Sequence, residues 1–139
     1  MTHLISKRSV SYIDASTMIK AALNKAKELG CNQNIAIVDN GGNLLAFARM
    51  DDASILGIEG AQRKAYTALL GVGTETFYNA IKHNEGTVHG LSHLPGAIMV
   101  PGGLPILAHG ETVGGIGASG GLPEEDVICA QAGLDAISS

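Results

Sequence analysis

A guanidinium group and a carboxylate close the second of two apolar runs near the middle of the chain. Arg49 and Asp51 lie at the end of this run, and a turn of small polar residues at 39–43 precedes it. Arginine can hold a carboxylate through two charge-assisted hydrogen bonds, so the pair is a candidate site for an acidic ligand. The alternative is a local ion pair that only orders the turn after the strand.

Lys64 is a second cationic candidate for a ligand contact. It follows Arg63 in a segment with helical periodicity, where a lysine is usually exposed to solvent, but it lies among small residues. A contact with a ligand and an exposed surface position both fit this pattern.

Histidines are concentrated in one short segment and include His83, His89 and His93. Imidazole is a common ligand of haem iron and of transition-metal ions. Ligands four residues apart share a face only on a helix, and Gly90 and Pro95 argue against a helix here. We therefore predict a loop over residues 85–95. The three histidines are either haem or metal ligands or part of a mobile surface loop.

Glycine pairs later in the chain are candidates for binding through the backbone. Gly102 and Gly103 form one pair, and Ser119 stands directly before the second pair at 120–121. Backbone N–H groups in such turns can bind an anion, although glycine more often serves positive φ and close packing. No histidine follows Ser119, which excludes a Ser-acid-His triad in that chain order. We interpret Gly102, Gly103 and Ser119 as ligand-binding candidates.

The second interpretation is that the protein is an enzyme and not a binding protein. Asp51, Glu59 or His93 would act as general acid or base on a small oxygenated metabolite. A non-catalytic assembly or sensor partner is a third interpretation.

The elements that must position these residues follow from periodicity, caps and turns. Ser11 begins an amphipathic helix that ends at Gly30, and Pro123 opens a final helix. Between them the pattern predicts strands at 34–38, 44–50, 97–100, 104–108 and 112–118, and helices at 54–70 and from Thr74. The predicted order is α-β-β-α-α-β-β-β-α. This order is typical of a single α+β domain over residues 1–139 with helices covering one sheet.

Composition excludes several classes of function. The formal net charge is −4, only 4% of residues are aromatic, and cationic residues are scattered, which argues against nucleic-acid binding. No run of 18 apolar residues or signal-peptide core is present, so we expect a cytoplasmic protein that does not insert into a membrane. Cys31 and Cys129 do not form a metal or redox motif, so we interpret them as structural thiols.

Four motifs in order resemble the GlcG/HbpS family, also called the haem-degrading domain family. The chain carries them at 37–51 (IVDNGGNLLAFARMD), 64–68 (KAYTA), 101–106 (PGGLPI) and 114–121 (GGIGASGG). The resemblance implies a profilin-like fold with a five-stranded antiparallel sheet, and it implies homo-oligomers. Family members include haem-binding proteins and the haem-binding C-terminal domain of a corrinoid adenosyltransferase. Some haem-binding relatives place an axial ligand in the first helix, where this chain has no histidine between residues 11 and 30.

Together, these observations predict a small homo-oligomeric protein that binds a carboxylate-bearing small molecule, with haem or another tetrapyrrole as the candidate ligand. Arg49 and Lys64 would hold the acid groups of the ligand. The site would lie between the sheet and a neighbouring helix or subunit.

Overall fold

The computed structural model of the protein describes residues 2–138 and contains one antiparallel sheet flanked by helices. The helices are α1 (Tyr12–Leu29), α2 (Leu56–Thr67), α3 (Thr74–Ile81), α4 (Glu85–Leu91) and α5 (Pro123–Asp135), and a 3-10 turn (Ala68–Leu70) extends α2. The strands are β1 (Asn34–Asp39), β2 (Leu44–Arg49), β3 (Gly103–Ala108) and β4 (Glu111–Ser119). This confirms the α+β class. No helix within residues 2–138 is long and apolar enough to cross a membrane.

The first helix begins and ends as its sequence predicts. Ser11 Oγ accepts a hydrogen bond from the Asp14 N–H at 3.1 Å, and Gly30 ends the helix with φ 75°. Its buried side chains recur at three- and four-residue spacing, at Ala15, Met18, Ala22 and Ala26. This periodicity places α1 against the sheet, where it also packs on α5.

Within residues 2–138 the sheet has four strands in the order β2-β1-β4-β3, so the predicted five-stranded sheet is wrong. Residues 97–100 were expected to form the additional strand. Their backbone instead bonds to two threonine side chains: the Ile98 N–H donates to Thr67 Oγ1 at 2.9 Å, and Val100 C=O accepts from Thr74 Oγ1 at 2.6 Å. These two backbone groups are therefore paired with side chains of α2 and α3, and the segment runs beside those helices and not in the sheet.

The predicted loop over 85–95 is also wrong, because α4 forms there and the helix count rises by one. Asn84 begins it, since its Oδ1 accepts a hydrogen bond from the Thr87 N–H at 2.9 Å. Gly90 lies on the exposed side, so its missing side chain removes no packing.

Glycines on β4 bring α2 unusually close to one face of the sheet. A Cβ at Gly117 would lie 2.7 Å from the backbone nitrogen of Ala65, and the Gly115 position faces the backbone of the same helix. Helices α1 and α5 cover the opposite face, where the core contains Met18 and isoleucines of three strands. The sheet is therefore a central layer whose ends lie near the two ends of α2.

Candidate functional site

A buried ion pair connects the two helical layers across one end of the sheet. Lys64 of α2 has a side chain that is 3% exposed, and its Nζ donates to Asp126 Oδ2 at 2.8 Å. The same Nζ donates to the Ala118 carbonyl at 2.9 Å. The second oxygen of Asp126, Oδ1, accepts from Gln33 Nε2 at 2.7 Å and from the Gly121 N–H at 2.9 Å. Thus Asp126 neutralises Lys64 and also accepts hydrogen bonds from Gln33 and Gly121.

The pair forms part of the wall of a cavity of about 410 Å³, which we call the sheet-end cavity. The sides of the cavity come from the first part of α2, the end of β4 and the start of α5, and they include Ser54, Gly57, Gly60 and Ser119. Lys64 is therefore not the exposed surface lysine that one sequence interpretation expected. Its contact with a ligand stays a prediction, because its charge is already balanced.

The glycine pairs near this cavity serve close packing. A Cβ at Gly102 would lie 2.9 Å from Asp126 Cβ and 3.0 Å from Lys64 Nζ, and Gly102 has φ +124°. The Gly103 N–H donates to Thr74 Oγ1 at 3.1 Å, and the Gly121 N–H is bound by Asp126. Two of the N–H groups considered for an anion thus already have protein acceptors.

Arg49 lies at the same end of the sheet as Ser119. Asn34 of β1 is opposite Arg49 on one side and Ser119 on the other, so these three side chains project from the face that carries α2. Arg49 and Asp51 are both exposed. The local ion pair offered as their structural role does not form within residues 2–138. Arg49 is consequently available to an acid group from outside.

A second cavity, of about 390 Å³, lies at the other end of α2, and we call it the apolar cavity. It opens between the end of α2, the 3-10 turn and the segment carrying α3 and α4. Most of its wall is apolar, including Leu69, Phe77, Leu91, Leu94 and Met99. An adjoining cavity of about 300 Å³ shares Leu91, Ala97 and Met99 with it. These three residues form a common wall between the two cavities.

Tyr66 forms one side of the apolar cavity, and its ring packs closely against two glycines. A Cβ at Gly42 would lie 2.8 Å from its ring, and a Cβ at Gly96 would lie 3.0 Å from it. A smaller cavity of about 250 Å³ shares Tyr66 and also contains Arg63 and Glu59. Arg63 Nη2 donates to Glu59 Oε1 at 3.4 Å. Sequence reasoning missed Tyr66, Met99 and Asp126, because each acquires its surroundings only through distant parts of the chain.

The three candidate histidines are exposed, and two of them meet. The imidazole centroids of His89 and His93 are 4.8 Å apart with an interplanar angle of 75°, whereas His83 lies between α3 and α4. None of the three lines the apolar cavity, although Leu91 and Leu94 beside them do. No cluster of three or more histidine, cysteine or acidic side chains within residues 2–138 is arranged to hold a metal ion.

The acid–base candidates do not form one constellation. Asp51 follows β2 and is exposed, Glu59 pairs with Arg63 on α2, and His93 meets His89 beyond α4. No hydrogen bond joins any two of these three within the described residues. The enzyme interpretation stays a prediction.

The two cysteines belong to the α1–α5 side of the molecule. Cys129 is buried in the core and Cys31 packs against the same core cluster. Burial, followed by the neighbouring Cys31 thiol, raises the pKa of Cys129 to about 12. A thiol with so high a pKa is a poor nucleophile at neutral pH, which agrees with a structural role.

Comparison with known proteins confirms the resemblance seen in the motifs. The family model described as haem degrading protein HbpS-like matches residues 10–135. An uncharacterised 15.0 kDa protein in the dhaT-dhaS intergenic region of Citrobacter freundii is 33% identical over 133 residues, covering 94% of this chain and 93% of the relative. The crystal structure of a double mutant of HbpS from Streptomyces reticuli has a TM-score of 0.89 and 28% identity, covering 98% of this chain and 92% of that chain. A crystal structure of PduOC in complex with haem has a TM-score of 0.87 and 30% identity, covering 94% of this chain and 96% of that chain.

Proposed function

The chain belongs to the HbpS-like family, and from that premise we propose that it binds a carboxylate-bearing tetrapyrrole such as haem in the apolar cavity. The observation that carries this proposal is the wall of that cavity. It is predominantly apolar, and it contains Tyr66 and Met99, whose side-chain types both occur as ligands of haem iron.

The size of the cavity supports a ligand of this class. Small-molecule and cofactor sites are concave, mostly apolar and roughly 300–1,000 Å³ in volume. The apolar cavity of about 390 Å³ falls in this range, and a cavity of about 300 Å³ lies against it and shares Leu91, Ala97 and Met99. A predominantly apolar wall suits a largely apolar molecule better than it suits a small polar metabolite.

Arg63 is the group best placed to hold an acid group of such a ligand. It contributes to the small cavity that shares Tyr66 with the apolar cavity, and its contact with Glu59 is long at 3.4 Å. A guanidinium can bind a carboxylate with two hydrogen bonds and can exchange a weak partner for a better one. Arg49, at the end of β2, and Lys64, in the last turn of α2, stay predictions for an acid group near the sheet-end cavity.

A haemin titration followed at the Soret band tests the proposal. We expect saturable binding with one haemin per chain, and we expect Met99→Leu or Tyr66→Phe to shift the band because the iron ligand changes. Arg63→Gln should weaken binding and leave the band in place. The variants His83→Ala, His89→Ala and His93→Ala test the histidine prediction in the same assay. Weak, non-saturating binding that no variant alters would refute a tetrapyrrole site.

We also propose that the chain forms homo-oligomers through the mouth of the sheet-end cavity. Leu56, which lines this cavity, is 87% exposed, and Ile55 next to it in the chain is 78% exposed. Leu122, between the lining residues Gly121 and Pro123, is exposed as well. Burying a leucine side chain contributes roughly 1.5–3 kcal/mol, so a second copy covering these residues would be stabilised.

The molar mass by light scattering tests this contact. Leu56→Asp should lower the mass toward that of one chain, and Asn24→Asp, which adds the same charge on exposed α1, should not. Equal masses for all three proteins would refute this interface. A cytoplasmic location stays a prediction from the sequence.

A further inference from the structure

His89 and His93 form a second candidate site, which does not depend on tetrapyrrole binding. We propose that they chelate one divalent transition-metal ion of the class that prefers imidazole, with Zn²⁺ as its representative. The site lies on α4 and the turn after it, outside the apolar cavity.

The geometry of the backbone places the two rings on one side. His89 is within α4, and the winding continues past its end, since the Ser92 N–H donates to the Val88 carbonyl at 3.2 Å and the His93 N–H donates to the Gly90 carbonyl at 3.1 Å. Residues four apart on such a segment are neighbours on its surface. The four-residue spacing therefore places both imidazoles on the same side of the segment, which it would not do in a loop.

The distance between the rings suits a shared ion. Zinc binds imidazole nitrogen at about 2.0–2.1 Å, so two nitrogens on one tetrahedral ion are roughly 3.3 Å apart. The ring centroids are 4.8 Å apart, and the nitrogens lie on the ring perimeters. Because a nitrogen of each ring can lie closer to the other ring than the centroid does, this spacing is compatible with a nitrogen separation of roughly 3.3 Å.

Both imidazoles are available as ligands. The two side chains are exposed, and neither ring makes a hydrogen bond to the protein within residues 2–138. Glu85 lies one turn before His89 on the same helix and adds negative charge near the site. Because only two imidazoles converge here, the ion would keep open coordination positions for water or for a group from another molecule.

Calorimetric titration with Zn²⁺ tests this site on the full chain. We expect one equivalent to bind, and we expect His89→Ala and His93→Ala each to weaken binding roughly tenfold or more, since even outer-shell changes cost 10–100-fold. His83→Ala and His3→Ala are matched controls that remove an exposed histidine elsewhere and should leave binding unchanged.

Circular dichroism checks that each variant folds, and His89→Gln offers a polar replacement if the alanine variant does not. The proposal is overturned if no equivalent binds, or if binding is the same in the parent and in both the His89 and His93 variants. It is also overturned if His83→Ala weakens binding as much as they do.

Discussion

Removal of the negative charge at Asp126 should destabilise the protein far more than the loss of an ordinary ion pair. Asp126→Asn leaves the Lys64 ammonium buried without a counter-charge, because the Asp126 carboxylate is its ion-pair partner. Breaking a buried pair from one side costs about 3–5 kcal/mol. For 139 residues, an unfolding entropy of about 2.1 cal/mol/K per residue converts this to a fall in Tm of roughly 10–17 °C.

Urea and thermal denaturation followed by circular dichroism measure the effect. Glu28→Gln is the matched control, since Lys25 Nζ is also 2.8 Å from Glu28 Oε2 but the Glu28 side chain is 65% exposed. An exposed helical pair of this kind contributes about 0.3–0.5 kcal/mol. The double variant Lys64→Met, Asp126→Asn should recover part of the loss, because no charge then stays buried and the amide oxygen can still accept from Gln33 Nε2 and the Gly121 N–H. If Asp126→Asn and Glu28→Gln lower the free energy of unfolding equally, the argument from burial is refuted.

Three further predictions concern packing, thiol accessibility and the pH dependence of stability. Gly117→Ala should lower the free energy of unfolding by at least about 1–3 kcal/mol, since the new methyl group would meet the backbone of Ala61. Its control, Gly90→Ala on an open surface of α4, should be neutral or stabilising. Equal urea midpoints for these two variants would contradict the close approach of α2. A thiol reagent should label Cys31 in the native protein and Cys129 only after unfolding. Folding raises the pKa of Cys129 from 9.0 to about 12. The stability contributed by the buried thiol is therefore present below pH 9 and is lost as the pH rises toward 12. A urea midpoint that stays constant between pH 9 and 12 would contradict this prediction.

The sequence was sufficient for elements that carry their own caps and periodicity. Ser11 and Gly30 set the ends of α1, and the turn at 39–43 predicts the β1–β2 hairpin, because these signals are local. The apolar run at 97–100 was misread as a strand. A strand needs backbone partners, and here Thr67 and Thr74 supply side-chain oxygens instead.

Helix α4 was not predicted, because the glycines in its sequence argue against a helix more strongly than the cap residue Asn84 argues for one. Gly86 and Gly90 lower the helix propensity of the segment, whereas Asn84 was available as a cap residue and its Oδ1 does cap the helix. The error also concealed the meeting of His89 and His93.

The candidate site was only partly accessible from the sequence, because its contacts are long-range. Lys64 was identified, but Asp126 is 62 positions away and lies among acidic residues that the helix N-terminus already explained. Tyr66 and Met99 likewise come together only when residues 97–100 pack beside α2. Local periodicity contains no information about such pairs.

The most direct test of the central claim is a haemin titration of two cavity-filling variants. Ala97→Phe places an aromatic ring in the apolar cavity, and Ser54→Phe places the same ring in the sheet-end cavity at the other end of α2. The account predicts that Ala97→Phe abolishes saturable Soret-detected binding while Ser54→Phe retains it with the affinity of the parent. Loss of binding in Ser54→Phe alone, or equal binding by both variants, would contradict a tetrapyrrole site in the apolar cavity.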